Sequence, residues 1–409
     1  MSGELSRRAF LTGAGAVGIA GVAFGLAGCS HDSSSNKGDT DVEPFRGVHQ
    51  AGIVTAAQDR LAFAAFDVTS SSASDLVAML NVWTAAAEAM TQGEQVPGGA
   101  STLAAPPSDT GEALGLTSSA LTITIGYGPS LFDQRFGLAS RRPAALQPLP
   151  ALPGDELQPD RTGGDLCIQA CANDPQVAFH AIRNLARLGR GTAVMRWSQL
   201  GFGRTSSTTA SQTTPRNLMG FKDGTRNIKS DETVVLDEQV WVGAETDQAW
   251  MKGGSYLVAR RIRMLIEAWD RDYLADQQNV FGRFKTSGAP LTGAKEFDTP
   301  NFTEQDAGKP VIADNAHIRL ASPENNNGLR ILRRGYSYTD GIDPATGELD
   351  AGLFFIAYQK DPRTHFIALQ QKLGAHDALN EYIEHTGGGL FACPPGLAAG
   401  QFWGQLLLA

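Results

Sequence analysis

Three residues in this chain are of kinds, and in settings, that can do chemistry together. Asp223 lies in Gly220-Phe221-Lys222-Asp223-Gly224-Thr225-Arg226-Asn227, a stretch too glycine-rich for a helix or a central strand. Glycine lets backbone approach a bulky ligand and takes torsions that other residues avoid, so a carboxylate displayed there is a candidate general base. Asp-Gly alone reads equally well as a tight hairpin turn. His317 falls in the mostly apolar run Ala313-Asp-Asn-Ala-His-Ile-Arg-Leu-Ala-Ser-Pro323. An imidazole there is partly buried and needs a partner for each nitrogen, which core hydrogen bonds alone can also provide. On an extended reading of this run Arg319 shares the histidine's face and points to a nearby anion. Arg333 and Arg334 end the apolar start of Ile331-Leu332-Arg333-Arg334-Gly335-Tyr336. At least one guanidinium is then aimed inward, where it must meet negative charge. The competing reading leaves both at an exposed strand end, paired with Asp340 or Glu348.

The other six of the seven histidines are less telling. His31 lies in a polar tether and His49 at the domain edge. His180, His365, His376 and His385 fall in or beside predicted helices, as surface or capping residues.

The elements that must position these groups alternate regularly. Leu61–Val68, Leu121–Ile125, Leu166–Ala172 and Ala193–Gln199 read as strands, and Ser72–Met90 and Pro175–Leu188 as helices. In the second half, Ser255–Ile262, Gly328–Tyr338, Leu353–Tyr358 and the short Phe391–Cys393 read as strands. Met264–Tyr273, Ala275–Gly282 and Thr364–Glu384 read as helices. Strand–helix–strand–strand–helix–strand is the ferredoxin-like rhythm, and it occurs twice. The expected fold is α+β, two ferredoxin-like βαββαβ halves packed together in a dimeric α/β-barrel-type architecture. Its boundaries fall at residues 51–212 and 213–409, after a signal over 1–29 and a disordered tether over 30–50.

Taken in order, Gly-Phe-Lys-Asp-Gly-Thr, His-Ile-Arg-Leu-Ala-Ser-Pro, Arg-Arg-Gly-Tyr-Ser-Tyr and the closing Gly387-Gly-Gly-Leu-Phe-Ala-Cys-Pro-Pro-Gly396 resemble the dye-decolourising peroxidases. The likeness is to their exported branch, which includes deferrochelatase-type proteins of iron uptake. It covers essentially the whole mature chain and is strongest from Asn217 onward. The resemblance implies a haem b cofactor, with His317 as the axial ligand of iron and Asp223 and Arg333 as the catalytic pair on the distal face. It places Arg319 and Arg283 on the haem propionates. Gly224, Thr225, Arg226, Ser322, Pro323 and Glu324 match segments lining the haem, and Phe354 or Phe355 supplies an apolar distal wall. The carboxylate for the second imidazole nitrogen is Asp377 or Glu381, with Glu381 preferred.

The chemistry asks for these residue types independently. Splitting the O–O bond of H2O2 requires moving a proton from one oxygen to the other while negative charge grows on the departing one. A positioned base does the first and a fixed guanidinium the second. An aspartate is ionised at lower pH than a histidine, which predicts an acidic optimum. The expected activity is oxidation of aromatic, dye-type donors by H2O2. The alternative is a haem-handling protein of iron acquisition that releases iron with the ring intact. A haem-free ferredoxin-like binding module is a third reading, distinguished by colourless protein. Tyr336, Tyr338, Tyr358, Trp241, Trp250 and Trp269 could carry electrons outward, although core packing accounts for most of them.

Composition narrows the partners. With 34 basic against 43 acidic residues among 409, a net charge of −9 and no Lys/Arg run, nucleic acid is excluded as an expected partner. Ser6-Arg7-Arg8-Ala9-Phe10-Leu11, followed by an apolar Gly/Ala-rich run to Gly28, has the pattern of a twin-arginine export signal. No membrane span is expected after it. Leu26-Ala27-Gly28-Cys29 is either a lipobox, tethering the mature protein to a membrane through lipidated Cys29, or an ordinary cleavage site. The protein is expected outside the cytoplasm, with H2O2 and a reductant as partners. An iron-uptake partner and self-association are both compatible with the sequence. Cys167, Cys171 and Cys393 are too few for a zinc site and read as buried apolar residues, with one disulfide left open.

Overall fold

Strand β1 (Arg60–Val68) shows how the sequence builds two cores at once. Leu61, Phe63 and Ala65 point to one side of the sheet, and Ala62, Ala64 and Phe66 to the other. The first set meets Trp197 and Phe354 at ring-centroid distances of 5.2 Å each from Phe63, deep inside a barrel. The second set is covered by two helices. In the computed structural model, which describes residues 41–99 and 102–408, each half of the chain repeats this plan.

The first half runs β1, α1 (Ala73–Thr91), β2 (Thr122–Tyr127), β3 (Leu166–Ala172), α2 (Pro175–Leu188) and β4 (Ala193–Arg204). Local signals set the helix starts. Ser72 caps α1, accepting from the Asp75 N–H, and Asp174 caps α2 with a proline at its first turn. All strand pairs are antiparallel and the order is β4-β1-β3-β2.

The second half starts with α3 (Thr233–Gln239), then β5 (Ser255–Met264), α4 (Ile266–Trp269) and α5 (Leu274–Phe281). A small hairpin follows, β6 (Gln305–Asp306) and β7 (Lys309–Pro310), and then α6 (His317–Ala321). The last elements are β8 (Leu332–Arg333), β9 (Tyr336–Ile342), β10 (Leu349–Gln359), α7 (Ala368–His376), β11 (Ile383–Cys393) and α8 (Gln405–Leu408). Its main strands lie in the order β11-β5-β10-β9, the same arrangement as the first half. The halves join at both edges, through Tyr127–Ala392 on one side and Phe202–Ser337 on the other, closing a barrel. The twice-repeated ferredoxin-like plan is therefore present, as expected.

Several boundaries differ from the sequence reading. Residues 43–50 are packed rather than tethered. Phe45 packs against Trp403 with the rings tilted, Arg46 pairs with Glu88, and the buried Gln50 side chain bonds both main-chain groups of Ile125 and the carbonyl of Pro394. Gln50 thus staples the seam beside β2 and β11. The helix expected over Met264–Tyr273 shrinks to α4, because β5 continues through Met264. The single strand expected over Gly328–Tyr338 is broken between β8 and β9. The long helix expected over Thr364–Glu384 stops at His376. Asp377 turns extended (φ −74°, ψ 126°), a single 3-10 turn follows, and Ile383 opens an eleven-residue strand where only Phe391–Cys393 was read. The signal and lipobox lie outside the described residues.

The three cysteines within the described residues are free and buried, with both Cys167 and Cys171 on the barrel side. Cys167 and Cys393 flank Gly126 on neighbouring strands. Two strand spacings, about 10 Å, are too far for a disulfide. Tyr336, Tyr338, Tyr358, Trp241, Trp250 and Trp269 are all buried.

Candidate active site

The Asp223 loop is held by torsions only glycine takes easily. Gly220 and Gly224 both have φ of +84°, and a Cβ on Gly224 would lie 3.0 Å from the Ser206 Cα. The Asp223 N–H donates to the Pro215 carbonyl, and the Asn227 N–H closes a turn on the Gly224 carbonyl at 3.0 Å. Asp223 Oδ1 accepts from Arg333 Nη1 at 2.6 Å, and Oδ2 accepts from Asn217 Nδ2 at 3.3 Å. Both carboxylate oxygens are therefore fixed.

Strand β8 explains how Arg333 reaches this position. It pairs with β10, Arg333 opposite Ala357, and consecutive residues face opposite ways. Arg333 turns to the Asp223 side, whereas Arg334 is wholly buried in the barrel, bonded to the Thr55 carbonyl and Gln58 Oε1. Neither arginine pairs with Asp340 or Glu348, which are held by Arg261 and Arg263 instead.

His317 opens α6, and its Nδ1 donates to Asp377 Oδ2 at 2.6 Å. Asp377 is buried and its other oxygen accepts from the Leu379 N–H. Burial pushes the imidazole pKa down, but the adjacent Asp377 carboxylate more than reverses this, and the net direction is up. Asp223 raises it further and Arg333 lowers it, so both act on His317 electrostatically. His317 lies deep in the protein, yet 30% of its side chain borders open space, namely a cavity shared with Asp223 and Arg333.

The cavity walls are apolar: Leu353, Phe355 and Ile262 from the sheet, and Phe366, Leu369 and Leu373 from the α7 side. Arg226, Arg283, Arg330 and Arg333 also border the cavity. Arg283 is buried and, among the described residues, donates only to the carbonyls of Gly288 and Glu296. Burial, with Arg226 and Arg333 nearby, pushes its pKa down to about 10. A buried guanidinium crowded by other cations is a place for an anionic group. An imidazole with one nitrogen engaged, an acid–guanidinium pair on the same cavity, apolar lining residues and several bordering guanidinium groups fit haem, a flat apolar ring with two carboxylates. The cavity also borders Gly224, Thr225, Ser322 and Pro323.

Five sequence expectations need correction. Glu381 is exposed, and Asp377 is the partner of His317. On one continuous helix the two carboxylates would share a face, but the chain leaves the helix at Asp377. Arg319 does not border the cavity. His317 and Arg319 lie on a helix rather than a strand, so they diverge, and Arg319 binds the carbonyls of Phe302 and Ile312. Glu324 does not border it either, but makes a two-point pair with Arg226, which does. Phe354 is buried in the barrel, and strand alternation presents Phe355 to the cavity. Of the four histidines read as surface or capping residues, only His376 is exposed. His385 is buried at the cavity wall beside Arg260 and Gln370. Arg330, Asn217 and Asn227 carried no sequence signal of their own beyond lying near the motifs.

The profile described as Dyp-type peroxidase, N-terminal, matches residues 50–203, and that described as Dyp-type peroxidase, C-terminal, matches 214–398. A deferrochelatase of Escherichia coli O6:K15:H31 is 39% identical over 416 residues, covering 99% of this chain and 97% of that protein. A DyP-type peroxidase structure from Streptomyces coelicolor superposes with a TM-score of 0.82 at 40% identity, covering 90% of this chain and 98% of that one. An oxyferrous/water mixed complex of DtpA from Streptomyces lividans matches with the same score, identity and coverage.

Proposed function

The chain belongs to the Dyp-type peroxidase family, and from that membership we propose a haem b peroxidase in which His317 would hold the iron and Asp223 and Arg333 would act on H2O2. Haem, when bound, supplies the iron that exchanges electrons with peroxide and donor. The remaining work belongs to side chains. Asp223 takes the proton from one peroxide oxygen and returns it to the other, so that the departing oxygen leaves as water. Such proton transfer typically contributes about 10²–10⁴-fold. Arg333 offsets the negative charge that grows on the departing oxygen. Asp377 holds the Nδ1–H of His317, orients the ring and makes its free nitrogen a stronger donor. Arg283 and Arg226, with Ser322, would hold the carboxylates of the ring. Aromatic donors too bulky for the cavity give up their electrons at the surface.

The observation that carries this reading is the convergence of His317, Asp223 and Arg333 on one cavity. The test compares absorption spectra of wild type and His317→Ala, alongside H2O2 turnover of Asp223→Asn and Arg333→Ala. The histidine variant is expected to lose or alter the ferric haem spectrum; the distal variants keep it and lose turnover. An unaltered spectrum in His317→Ala removes the axial assignment. Turnover of the wild type is expected to peak at acidic pH.

A second reading is favoured by the name of the curated relatives, deferrochelatase. On it the same cavity holds haem while iron leaves and the ring stays intact. Incubation with haem and no peroxide distinguishes the two, read as chelated iron and porphyrin fluorescence. Export through the twin-arginine signal, with or without lipidation at Cys29, completes the proposal. Replacing Arg7 and Arg8 by lysine is expected to retain the protein in the cytoplasm.

A further inference from the structure

We infer that Asn227 is a positioning residue for the Asp223–Arg333 pair, acting through the main chain of Arg333. The inference rests on the reading of those two residues given above. Asn227 is 3% exposed, and its carboxamide is fully engaged. Oδ1 accepts from the Arg333 N–H at 2.7 Å, while Nδ2 donates to the Arg333 carbonyl at 2.8 Å and the Ser207 carbonyl at 3.1 Å. One side chain thus holds both main-chain groups of one residue. Strand β8 is only two residues long and stands at the end of the sheet order, paired with β10 on one side. A carboxamide presents a donor and an acceptor as a peptide group does, so Asn227 takes the place of the missing neighbouring strand.

The same residue also ends the Asp223 turn, through its own N–H on the Gly224 carbonyl. Asp223, the turn, Asn227 and Arg333 therefore form a closed circuit, completed by the 2.6 Å contact between Asp223 Oδ1 and Arg333 Nη1. Arginine is long and flexible, and fixing its main chain limits where the guanidinium can go. Aspartate at this position has no N–H to donate, and alanine leaves the Arg333 N–H and two carbonyls without this partner.

The test is a double-mutant cycle on the haem-loaded protein, comparing Asn227→Ala, Arg333→Ala and the double variant by the second-order rate with H2O2. Asn227→Ala is expected to lose about ten- to a hundredfold, the scale of an ångström misplacement of a catalytic group. In the Arg333→Ala background the same change should cost almost nothing further. Additive losses overturn the inference. Loss-free Arg333→Ala would instead overturn the catalytic pair itself. Hydrogen exchange on the haem-free protein gives a readout independent of activity. The Arg333 N–H should lose protection in Asn227→Ala while the Arg334 N–H, bonded to the Ile356 carbonyl at 2.8 Å, keeps it. Equal loss at both positions argues for general unfolding and against the inference. If the alanine variant does not fold, Asn227→Asp, which removes only the Nδ2 donations, enters the same cycle. Asn184→Ala, at a fully buried amide on α2, serves as control. A matching loss of peroxide rate there would overturn a specific role for Asn227.

Discussion

Asp377 accepts a hydrogen bond from Nδ1 of His317 at 2.6 Å, across sixty positions of sequence. The contact engages one ring nitrogen and leaves the other for the cavity. It also settles which carboxylate stands behind the imidazole. Asp377→Asn is expected to lower haem affinity or peroxide rate by about 10- to 100-fold, the usual cost of losing such a partner. Glu381→Gln, at an exposed position, should behave as wild type. Haem titration and stopped-flow kinetics of the two variants check this, and a larger effect at Glu381 would reverse the assignment.

Gly224 meets two constraints, a φ of +84° and the Ser206 Cα at 3.0 Å from any added Cβ. Gly224→Ala violates both, and strain of this sort costs about 1–3 kcal/mol. Gly224→Asn tolerates the torsion but still meets Ser206. Both variants should displace Asp223 and lose peroxide turnover, the alanine variant losing more thermal stability. Recovery of turnover by asparagine would show that torsion alone matters.

His385 gives stability a pH dependence of predictable sign. Burial, reinforced by Arg260, pushes its pKa down to about 3. Between the ordinary histidine value near 6.5 and about 3, the unfolded chain binds a proton that the folded chain refuses. Its full contribution is thus present above about 6.5 and is lost as pH falls through that window, at up to about 1.4 kcal/mol per pH unit. Glu324, held down to about 2 by Arg226, adds a separate loss that begins only near the ordinary carboxylate range. Melting temperatures of wild type and His385→Gln from pH 7 to 5 isolate the histidine. The variant should show the flatter slope.

Gln50 ties the seam between the halves with three buried hydrogen bonds. Gln50→Ala leaves their partners unmet and should cost about 1–3 kcal/mol. Thermal unfolding measures the loss. A null result would mean that the edge pairing between β2 and β11 holds without it.

Much of this protein was legible in one dimension because the deciding forces are local. The apolar runs of β1 and β3, the alternation along β2, the caps at Ser72 and Asp174, and glycine on either side of Asp223 act within a few residues. Strand–helix–strand rhythm, and hence the repeated half, follows from such signals. So do Asp223, His317 and Arg333 as the chemically telling residues, since an acid among glycines, an imidazole in an apolar run and a guanidinium at a strand's end are unusual wherever they fall.

Tertiary structure decided whatever depended on how elements end and which way they face. The α7 pattern carries on smoothly through Asp377, so only the packing that starts β11 at Ile383 shows that the helix stops and Asp377, not Glu381, turns to His317. The run around His317 is apolar enough for a strand, but it folds as one turn of helix, which sends Arg319 away from the cavity. Phe354 and Phe355 are alike in sequence, and only barrel closure makes one core and the other cavity wall. Asn227 clamps a residue 106 positions away, a distance over which no local pattern can carry information. Residue types told what chemistry was on offer; the meeting of distant backbones told which of those groups come together, because hydrogen bonds and burial are settled by neighbours in space.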